Sequence, residues 1–420
     1  EADSVEGVSF LSRGWARRGV VVDALFGTGL ARPLQGAARS AVEAISEARE
    51  AGVYILSVDL PSGVDAGTGL LHGDAVQADR TVTFATPKLG HFLQPGRSQC
   101  GELVCADIGI PHRHWVDVVA DAARLAGPED LLEALPPASA QAHKGTFGHL
   151  LVVAGSRGKT GAARLCVDAA LRSGVGLVTL ALPESLDVPE LVPEAMVARI
   201  PDVSWGAESI LGLLEERDGL AIGPGLGTAP ETIFMARQIY AEADVPAVFD
   251  ADAINALVAA TPDQLRPAGA RVLTPHPGEF ARLSSAAWRD IEPRKIAAAQ
   301  DVARAHSATL VLKGASTLVV EPSGAFTVNA TGNPGMGTAG SGDVLTGVVG
   351  ALLTRGVEVS LAARAAAYWH GLAGDAAASS LGQPSLVSGD IIDHLGVAWK
   401  LVVEDEVASA MLRAPEDFLR

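Results

Sequence analysis

The chain has 420 residues, which allows two or three domains of about 150 residues each. Its 48% hydrophobic and 19% charged residues are typical of a globular protein. A net charge of -17 argues against a nucleic-acid partner, because phosphate backbones are bound by clustered Lys and Arg. A phosphate-bearing small ligand stays possible, since backbone N–H groups at a helix N-terminus can hold it.

The cysteine content and the absence of long apolar runs predict a cytoplasmic protein without a membrane partner. The three cysteines (Cys100, Cys105 and Cys166) are few and odd in number, which favours a reducing compartment over a disulfide scaffold. Cys100 and Cys105 lack a second Cys/His pair, so structural thiols are favoured over half a metal site. No apolar run reaches the roughly 18 residues that span a membrane, and the first residues show no signal-peptide pattern.

The first elements in chain order predict an α/β unit. An apolar strand in residues 19–30 ends in a Gly-rich turn, and residues 37–52 have helical spacing with a terminal Gly. Residues 53–63, 80–84 and 101–110 are further strand candidates. Strands that alternate with a helix indicate a parallel sheet whose ligand loops lie at the strand carboxyl ends.

Residues 111–142 carry Pro, Ala and Ser near their end and predict a join, after which a second α/β unit begins. This unit opens with a strand in 149–156, a helix in 160–174 and a strand in 175–183. The same pattern continues through 219–227, 245–257, 270–283 and 308–320 and ends in a glycine-rich loop and helix at 333–356. The second unit is therefore also predicted to be built on a parallel sheet.

The strongest chemical signal is TGNPGMGTAGSGDVLTG, residues 331–347, in which glycines crowd a loop that runs into an apolar helix. Converging backbone N–H groups and the helix start form an anion hole suited to a transferred phosphate. Asp343 lies at the mouth of this hole and is predicted to be a base that takes a proton from a hydroxyl. The alternative, a simple helix N-cap, is less favoured in this run of glycines.

Two further glycine motifs are weaker. GSRGKTG (155–161) does not fit the Walker A pattern G-x-x-x-x-G-K-[ST]. GPGLG (223–227) contains a G-x-G but lacks the full dinucleotide fingerprint, and a plain tight turn is an equal interpretation.

Residues from about 140 to 400 resemble the ADP/ATP-dependent NAD(P)H-hydrate dehydratase family. The resemblance rests on HKGTFGHLLVVAGSRGKTGAA, IGPGLG, FDADAIN, LTPHPGEFARL, VLKGAST and GNPGMGTAGSGDVLTG, which follow one another in the family's order. It implies a ribokinase-like α/β/α sandwich at 143–402 that phosphorylates the hydroxyl of the S form of NADH hydrate or NADPH hydrate and then eliminates phosphate. It also implies ADP or ATP as the phosphoryl donor, with Mg²⁺ assisting, and the choice between the two nucleotides stays open.

The same resemblance implies roles for individual residues. Asp343 would be the base that contacts the hydrate. The nucleotide would be bound by Gly342 and by the KGAST stretch, which comprises Lys313, Gly314, Ala315, Ser316 and Thr317. The hydrate pocket would be lined by Ala163, Gly227 and His276, although His276 alone would more often be a core or capping histidine.

Three residues near these motifs keep two interpretations each. Asp250 and Asp252 would orient the magnesium shell or cap the following helix, with equal weight. Asn333 would position the phosphate or serve the turn, and the turn is favoured.

The N-terminal segment resembles the NAD(P)H-hydrate epimerase family, which has a Rossmann-like fold. The resemblance rests on VDALFGTGLARPL, VDLPSGVDAGTG, AVQADRTVTF and GELVCADIGIP. It implies that Asp23 and Ser62 bind K⁺ and that Asp59 contacts the reacting region and takes part in proton transfer. The hydrate phosphates would be held by Gly27, Thr28, Gly29, Leu30, Ala31, Arg32 and Pro33.

The resemblance predicts a partial epimerase domain at 1–113, a linker at 114–142 and the dehydratase domain after it. The epimerase family carries an Asn-Asn-Gly-Gly-Asp-Gly loop upstream of these motifs, and the 420 residues do not contain it. If they are the whole protein, epimerase activity is not expected; if they are a fragment, the full protein is expected to be bifunctional. A homo-oligomer is also expected, because proteins of this fold often assemble.

One alternative stays open at the level of the sequence. A ribokinase-like small-molecule kinase shares the Gly-rich loop and the Asp, and it would carry a non-catalytic N-terminal binding module.

Overall fold

A computed structural model of the chain describes residues 4–12, 15, 19–111, 123–189, 191–258, 260 and 266–412. The chain divides into two compact units between Ala123 and Arg124. Each unit is built on its own sheet.

The first unit has a four-stranded sheet in the order β1-β2-β3-β4, and all its neighbours are parallel. The strands are β1 (Val20–Asp23), β2 (Tyr54–Val58), β3 (Arg80–Phe84) and β4 (Glu102–Ala106). The helices are α1 (Val5–Ser12), α2 (Gly36–Glu50) and α3 (Gly96–Gln99). The apolar face of α2, which includes Val42 and Ile45, packs on Ile55 of β2 and forms the core.

The second unit has a ten-stranded sheet in the order β5-β14-β13-β12-β11-β10-β9-β6-β7-β8. The seven strands from β12 to β8 in that order are parallel, whereas β13 is antiparallel to both of its neighbours. The strands are β5 (Arg124–Leu125), β6 (His149–Val153), β7 (Leu177–Pro183), β8 (Met196–Ile200), β9 (Gly219–Ile222), β10 (Ala247–Phe249), β11 (Arg271–Leu273), β12 (Thr309–Leu312), β13 (Thr317–Val320) and β14 (Phe326–Asn329). The parallel α/β arrangement predicted from the sequence is confirmed.

The helices of the second unit flank this sheet. They are α4 (Pro128–Ala134), α5 (Thr160–Arg172), α6 (Ala207–Leu214), α7 (Pro230–Glu242), α8 (Ala251–Leu257), α9 (Pro277–Leu283), α10 (Trp288–Ile291), α11 (Lys295–Ala305), α12 (Ser341–Thr354), α13 (Val359–Leu381) and α14 (Ser388–Leu412). Among the described residues, no helix combines the length and apolar character that crossing a bilayer requires.

Helix α12 lies at the centre of the second unit. Every residue from Val344 to Thr354 is buried, because the helix packs on the sheet on one side and on α5 and α13 on others. Gly347 allows this close packing, since a Cβ there would overlap the carbonyl oxygen of Cys166 in α5. The central position fixes the first turn of α12 at the carboxyl ends of the parallel strands.

Part of the predicted linker 114–142 belongs to the second sheet and its helix layer. Arg124 and Leu125 pair with β14, and α4 packs on α13. Leu131 of α4 is completely buried, and Asp130 forms a buried ion pair with Arg364 of α13 at 3.0 Å. Residues 114–122 of that linker lie outside the described residues.

Candidate functional site

Three adjacent parallel strands of the second unit deliver polar side chains to one edge of the sheet. Asp250 follows β10, Thr274 follows β11 and Lys313 follows β12. One carboxylate oxygen of Asp250 accepts hydrogen bonds from Lys313 Nζ and Thr274 Oγ1, each at 2.8 Å, and the other accepts one from Thr346 Oγ1 at 2.8 Å. Asp250 is only 1% exposed, so this buried carboxylate joins three strand ends to α12.

The Lys313 ammonium lies against the first turn of α12. A Cβ built on Gly342 would come within 3.0 Å of Lys313 Nζ. Gly340, which precedes the helix, has φ +91°, a conformation that favours glycine. The first-turn N–H groups of a helix lack intrahelical partners, so they and the ammonium together form an anion-binding surface.

Asp343 is the third residue of α12 and carries a strongly perturbed carboxyl group. Burial raises its pKa from 3.8 to about 7, and the negative charges of Asp250, Asp252 and Glu279 add to this rise, while Lys313 opposes it. A carboxyl group with a pKa near neutrality can both accept and return a proton at physiological pH. Asp343 therefore lies in the helix turn that forms the anion-binding surface, and its role as the base stays a prediction.

The tripeptide Ser-Gly-Asp also begins α14, where it behaves differently. Asp390 there accepts a hydrogen bond from the backbone N–H of Val387 at 2.8 Å, which is an ordinary capping contact. The pKa of Asp343 is set by burial and neighbouring charges, and the residue at the N-cap position of α12 is Gly340, not Asp343. The capping alternative thus describes Asp390 and not Asp343.

The GPGLG stretch is a tight loop held against the site. The Gly227 N–H donates to Asp252 Oδ2 at 2.8 Å, and Lys159 Nζ contacts the same oxygen at 3.3 Å. Gly223 has φ +125°, and a Cβ there would overlap the carbonyl oxygen of Asp250. The Asp250 side chain makes no capping hydrogen bond with α8 and binds Lys313, whereas the Asp252 side chain binds the Gly227 loop. The magnesium-orienting role of the two residues stays a prediction.

His276 immediately precedes α9 and caps it. Its Nδ1 accepts a hydrogen bond from the Gly278 N–H at 3.0 Å, and Glu279 accepts one from the His276 N–H at 2.8 Å. Burial raises the pKa of Glu279 and the Asp250 charge acts in the same direction, although Lys313 opposes it. The His276 side chain is 52% exposed, so it remains accessible while it serves as the cap.

The other predicted residues of the second unit occupy different environments. Ala163 of α5 is completely buried and lies against Gly155, so its methyl group packs inside the unit and not on an open surface. In the KGAST stretch, Gly314 and Ala315 are exposed, Ser316 is buried, and Thr317 Oγ1 is close to both the N–H and the carbonyl of Gly314. Backbone groups at Gly314 and Ala315 are therefore the accessible part of this stretch.

Asn333 serves the turn, as favoured from the sequence. Its side-chain oxygen accepts from the Gly335 N–H at 3.0 Å, and its amide donates to Gly374 O and Asp375 Oδ1. This ties the glycine-rich loop to α13.

In the first unit, Asp59 follows β2 and is held in a strained conformation. Its φ of +67° lies in the left-handed region, which is unusual for a residue other than glycine. Its Oδ1 accepts hydrogen bonds from Lys88 Nζ at 2.6 Å and Thr83 Oγ1 at 3.0 Å. Burial alone would raise the pKa of Asp59, but the bonds from Lys88 and Thr83 outweigh it and the pKa is lowered.

The other carboxylate oxygen of Asp59 faces the predicted phosphate loop. A Cβ on Gly27 would come within 3.2 Å of Asp59 Oδ2. Most of the loop Gly27–Pro33 is exposed, whereas Leu30 is buried in the hydrophobic core of the unit. The structure thus brings Asp59 and this loop together, and Leu30 can contribute only backbone atoms to a ligand.

Asp23 and Ser62 are also brought together. Ser62 Oγ donates to Asp23 Oδ1 at 2.6 Å, and Ser57 Oγ donates to Asp23 Oδ2 at 2.9 Å. Asp23 is almost completely buried, so these oxygens form a compact polar cluster beneath the end of β1.

Sequence reasoning did not identify Lys88, Thr346 or Glu279 as site residues. Lys88 follows β3 closely, so its position just beyond a parallel strand could have marked it. Thr346 lies four residues after Gly342 on the same helix face, which is a spacing that could have been noticed. No local pattern in the sequence marks Glu279, because its proximity to Lys313 depends on how α9 packs.

The comparisons with known proteins match both units. The family model described as NAD(P)H-hydrate dehydratase matches residues 150–395, and the model described as YjeF-related protein N-terminus matches residues 3–90. A bifunctional NAD(P)H-hydrate repair enzyme from Moorella thermoacetica is 43% identical over 384 residues, covering 90% of this chain and 72% of that protein. Its Escherichia coli counterpart is 35% identical over 379 residues, which cover 90% of this chain and 70% of that protein.

Among solved structures, an ADP/ATP-dependent NAD(P)H-hydrate dehydratase from Bacillus subtilis, co-crystallized with ATP/Mg²⁺, is similar with a TM-score of 0.60 and 30% identity. The match covers 67% of this chain and 99% of that chain. A ribokinase-like superfamily protein from Enterococcus faecalis matches with a TM-score of 0.58 and 26% identity. This match covers 67% of this chain and 96% of that chain. The predicted ribokinase-like fold is confirmed by these structures.

Proposed function

The chain belongs to the family of bifunctional NAD(P)H-hydrate repair enzymes, and from this premise we propose that its second unit uses ADP or ATP to dehydrate NADH hydrate and NADPH hydrate. One observation carries the proposal at the level of the residues. Asp343, with its pKa raised to about 7, lies in the first turn of α12 beside the Lys313 ammonium. This is an arrangement suited to phosphoryl transfer to a hydroxyl group.

In the first step, Asp343 takes the proton from the hydrate hydroxyl while that oxygen attacks the terminal phosphorus of the nucleotide. The bond from phosphorus to the nucleotide oxygen breaks, and the shortened nucleotide leaves with the electron pair. Lys313 and the N–H groups at the start of α12 stabilise the negative charge on the transferred group.

In the second step, the phosphorylated oxygen leaves the ring as phosphate. The electron pair of the ring nitrogen expels it, and loss of a proton from the neighbouring ring carbon restores the dihydronicotinamide. Phosphorylation makes the oxygen a good leaving group, so no acid has to be held against it.

Magnesium would reach this site on the nucleotide. Mg²⁺ is commonly bound through substrate phosphates and water with few protein ligands. The described part of the chain has no group of three or more His, Cys, Asp or Glu side chains that could hold a metal ion, and both oxygens of Asp250 are engaged by side-chain donors. These residues do not fit a protein-built magnesium site.

The test is recovery of absorbance at 340 nm from hydrated NADH with Mg²⁺ and ADP or ATP, run in parallel. Asp343→Asn should lower kcat by about 10²–10⁴-fold, the usual contribution of a general base. Asp390→Asn is the matched control, because it changes the same tripeptide at α14, and its kcat should stay near that of the unmodified chain. A stable phosphorylated product without absorbance would contradict dehydration, and normal turnover of Asp343→Asn would contradict its role as base.

For the first unit we propose epimerisation of the R and S hydrates, with Asp59 transferring protons next to the Gly27–Pro33 loop. The hydrogen bonds to Asp59 Oδ1 leave Oδ2 facing this loop. The carboxylate and hydroxyl oxygens of Asp23 and Ser62 suit a hard cation such as K⁺, and these residues would hold it. Bound there, K⁺ would supply positive charge near the phosphates of the hydrate.

This second activity is tested with hydrate enriched in the R form. A protein that carries this unit together with the upstream Asn-Asn-Gly-Gly-Asp-Gly loop should convert all of it to NADH when the nucleotide is present, faster than spontaneous epimerisation allows. Asp59→Asn should slow this conversion and leave the rate with the S form unchanged. Binding of the hydrate to the first unit without any change in the epimer ratio would favour a non-catalytic module.

A cytoplasmic location and a homo-oligomer stay predictions, and light scattering would test the oligomeric state.

A further inference from the structure

The buried carboxylate of Asp250 connects the parts of the nucleotide site. It is 1% exposed and accepts three hydrogen bonds, from Lys313, Thr274 and Thr346. A buried carboxylate is retained only where partners compensate for the loss of water. Here the charged partner, Lys313, is also the residue that reaches the first turn of α12.

We propose that Asp250 is a positioning residue that holds the Lys313 ammonium at the start of α12, where it meets the phosphates of the nucleotide. This inference rests on the proposed function of the second unit and adds a residue to it.

The geometry favours positioning over the roles considered for Asp250 from the sequence. Asp250 precedes α8, but its side chain makes no capping hydrogen bond with that helix. Instead, its Oδ1 lies 2.8 Å from Lys313 Nζ, and its Oδ2 lies 3.7 Å from the position of a Gly342 Cβ. The carboxylate, the ammonium and the helix start therefore form one continuous contact.

A second contact links Asp250 to the same turn through Thr346. Its hydroxyl lies 2.8 Å from Asp250 Oδ2 and 3.0 Å from the carbonyl oxygen of Gly342. A free lysine side chain has four flexible carbons and samples many rotamers, so a fixed partner reduces the entropy lost when phosphate binds. Asp250 thus orients the ammonium and the amide groups with one carboxylate.

A double-mutant cycle tests whether Asp250 acts through Lys313. Asp250→Asn and Lys313→Met should each weaken binding of ADP–Mg²⁺ and ATP–Mg²⁺ by roughly 10- to 100-fold, the range for a hydrogen bond to a charged group. The double variant should be no more than about three-fold worse than Lys313→Met alone, since the lost interaction is shared. The KM for the hydrate should change much less than the nucleotide affinity.

Titration calorimetry of the full chain with each nucleotide measures the cycle without turnover. Additive losses, or normal nucleotide binding by Asp250→Asn, would overturn the proposal. If the unmodified chain binds nucleotide but does not restore the absorbance at 340 nm, the proposed dehydration is refuted. The double-mutant cycle can still be interpreted in that case, because it depends only on nucleotide affinity. Thr346→Val serves as a second variant, because it removes one donor and keeps the ion pair; it should weaken binding by a few-fold.

The matched control is Asp130→Asn, which breaks another buried ion pair of the same unit. Asp130 lies 3.0 Å from Arg364, away from the candidate site. Asp130→Asn should lower the melting temperature, because it removes one partner of a buried ion pair. It should leave nucleotide affinity unchanged. Equal loss of affinity in this variant would mean that Asp250→Asn acts through general stability, which contradicts positioning.

Discussion

Gly342 shows how one missing side chain shapes the candidate site. In Gly342→Ala, the new methyl group would lie 3.0 Å from Lys313 Nζ and displace the flexible ammonium. Alanine also stabilises a helix by about 1 kcal/mol relative to glycine. We expect nucleotide affinity to fall at least several-fold while the melting temperature stays the same or rises, as calorimetry and thermal denaturation would measure.

The control for this change is Gly389→Ala, at the same position of the Ser-Gly-Asp that begins α14. A Cβ there meets nothing within 4 Å. This variant should bind nucleotide normally and gain similar helix stability. If Gly342→Ala also binds nucleotide normally, nucleotide binding does not require the Lys313 ammonium to lie next to residue 342.

The pKa of Asp343 predicts a conflict between activity and stability. Its folded pKa of about 7 exceeds the ordinary value of 3.8, so the folded state binds the proton more tightly than the unfolded state. Its ionisation therefore destabilises the fold as the pH rises from about 4 to above 7, by up to about 4 kcal/mol for three pKa units. Asp343→Asn should melt several degrees higher at pH 8, with the difference vanishing near pH 4.

Asp390→Asn is the control in the same experiment, because Asn can still accept the hydrogen bond from the Val387 N–H and loses only the negative charge at the start of α14. It should melt slightly lower, since that charge favours a helix N-terminus. A melting temperature of Asp343→Asn that does not depend on pH in this way would show that Asp343 ionises without penalty. The acid side of the kcat profile should likewise fall below a pH of about 7, since the base must be ionised.

At the scale of elements, the packing of the glycine-rich loop depends on glycines in the facing helix. A Cβ on Gly371 would overlap Thr331, and one on Gly374 would overlap Met336. The two residues are three apart on α13, so they form a smooth face against which residues 331–336 lie. This face sets the path of the loop that leads into Asp343.

Gly371→Ala should therefore shift the loop and reduce kcat. We expect a loss of about 1–3 kcal/mol in unfolding free energy, as overpacking usually costs, and a clear fall in turnover even where the protein is folded. Gly396→Ala in α14, where a Cβ meets nothing within 4 Å, is the control; it should raise the unfolding free energy by about 1 kcal/mol and leave turnover unchanged. Normal turnover of a folded Gly371→Ala would show that the loop position is not critical.

The elements also show what the sequence can and cannot predict. Strand ends followed by Asp250, Lys313 or Asp59 were visible, because apolar runs stop abruptly before these residues and parallel strands share one edge. The partners of these residues were not visible: Asp250 and Lys313 are 63 positions apart in the chain, and they meet only because β10 and β12 lie on either side of β11 in the sheet. The role of Ala163 in the hydrate pocket stays a prediction, and its close approach to Gly155 depends on packing that a local motif does not encode.

At the scale of the whole molecule, the two compact units raise the question of where the second begins. The match with the Bacillus subtilis dehydratase covers 99% of that chain but only 67% of this chain. A dehydratase chain can therefore be about two-thirds as long as this one. The described structure places β5 and α4 in the second unit, within the linker predicted from the sequence.

Two fragments distinguish these boundaries. Residues 124–420 should retain dehydratase kcat and nucleotide affinity within about three-fold of the full chain, because the candidate site lies wholly within them. Residues 143–420 should melt several degrees lower, because Leu131 is missing from the core and Arg364 loses its ion pair with Asp130 and keeps only the longer contact with Glu321. Equal stability of the two fragments would show that residues 124–142 are a linker after all. Loss of activity in the longer fragment would show that the second unit depends on the first.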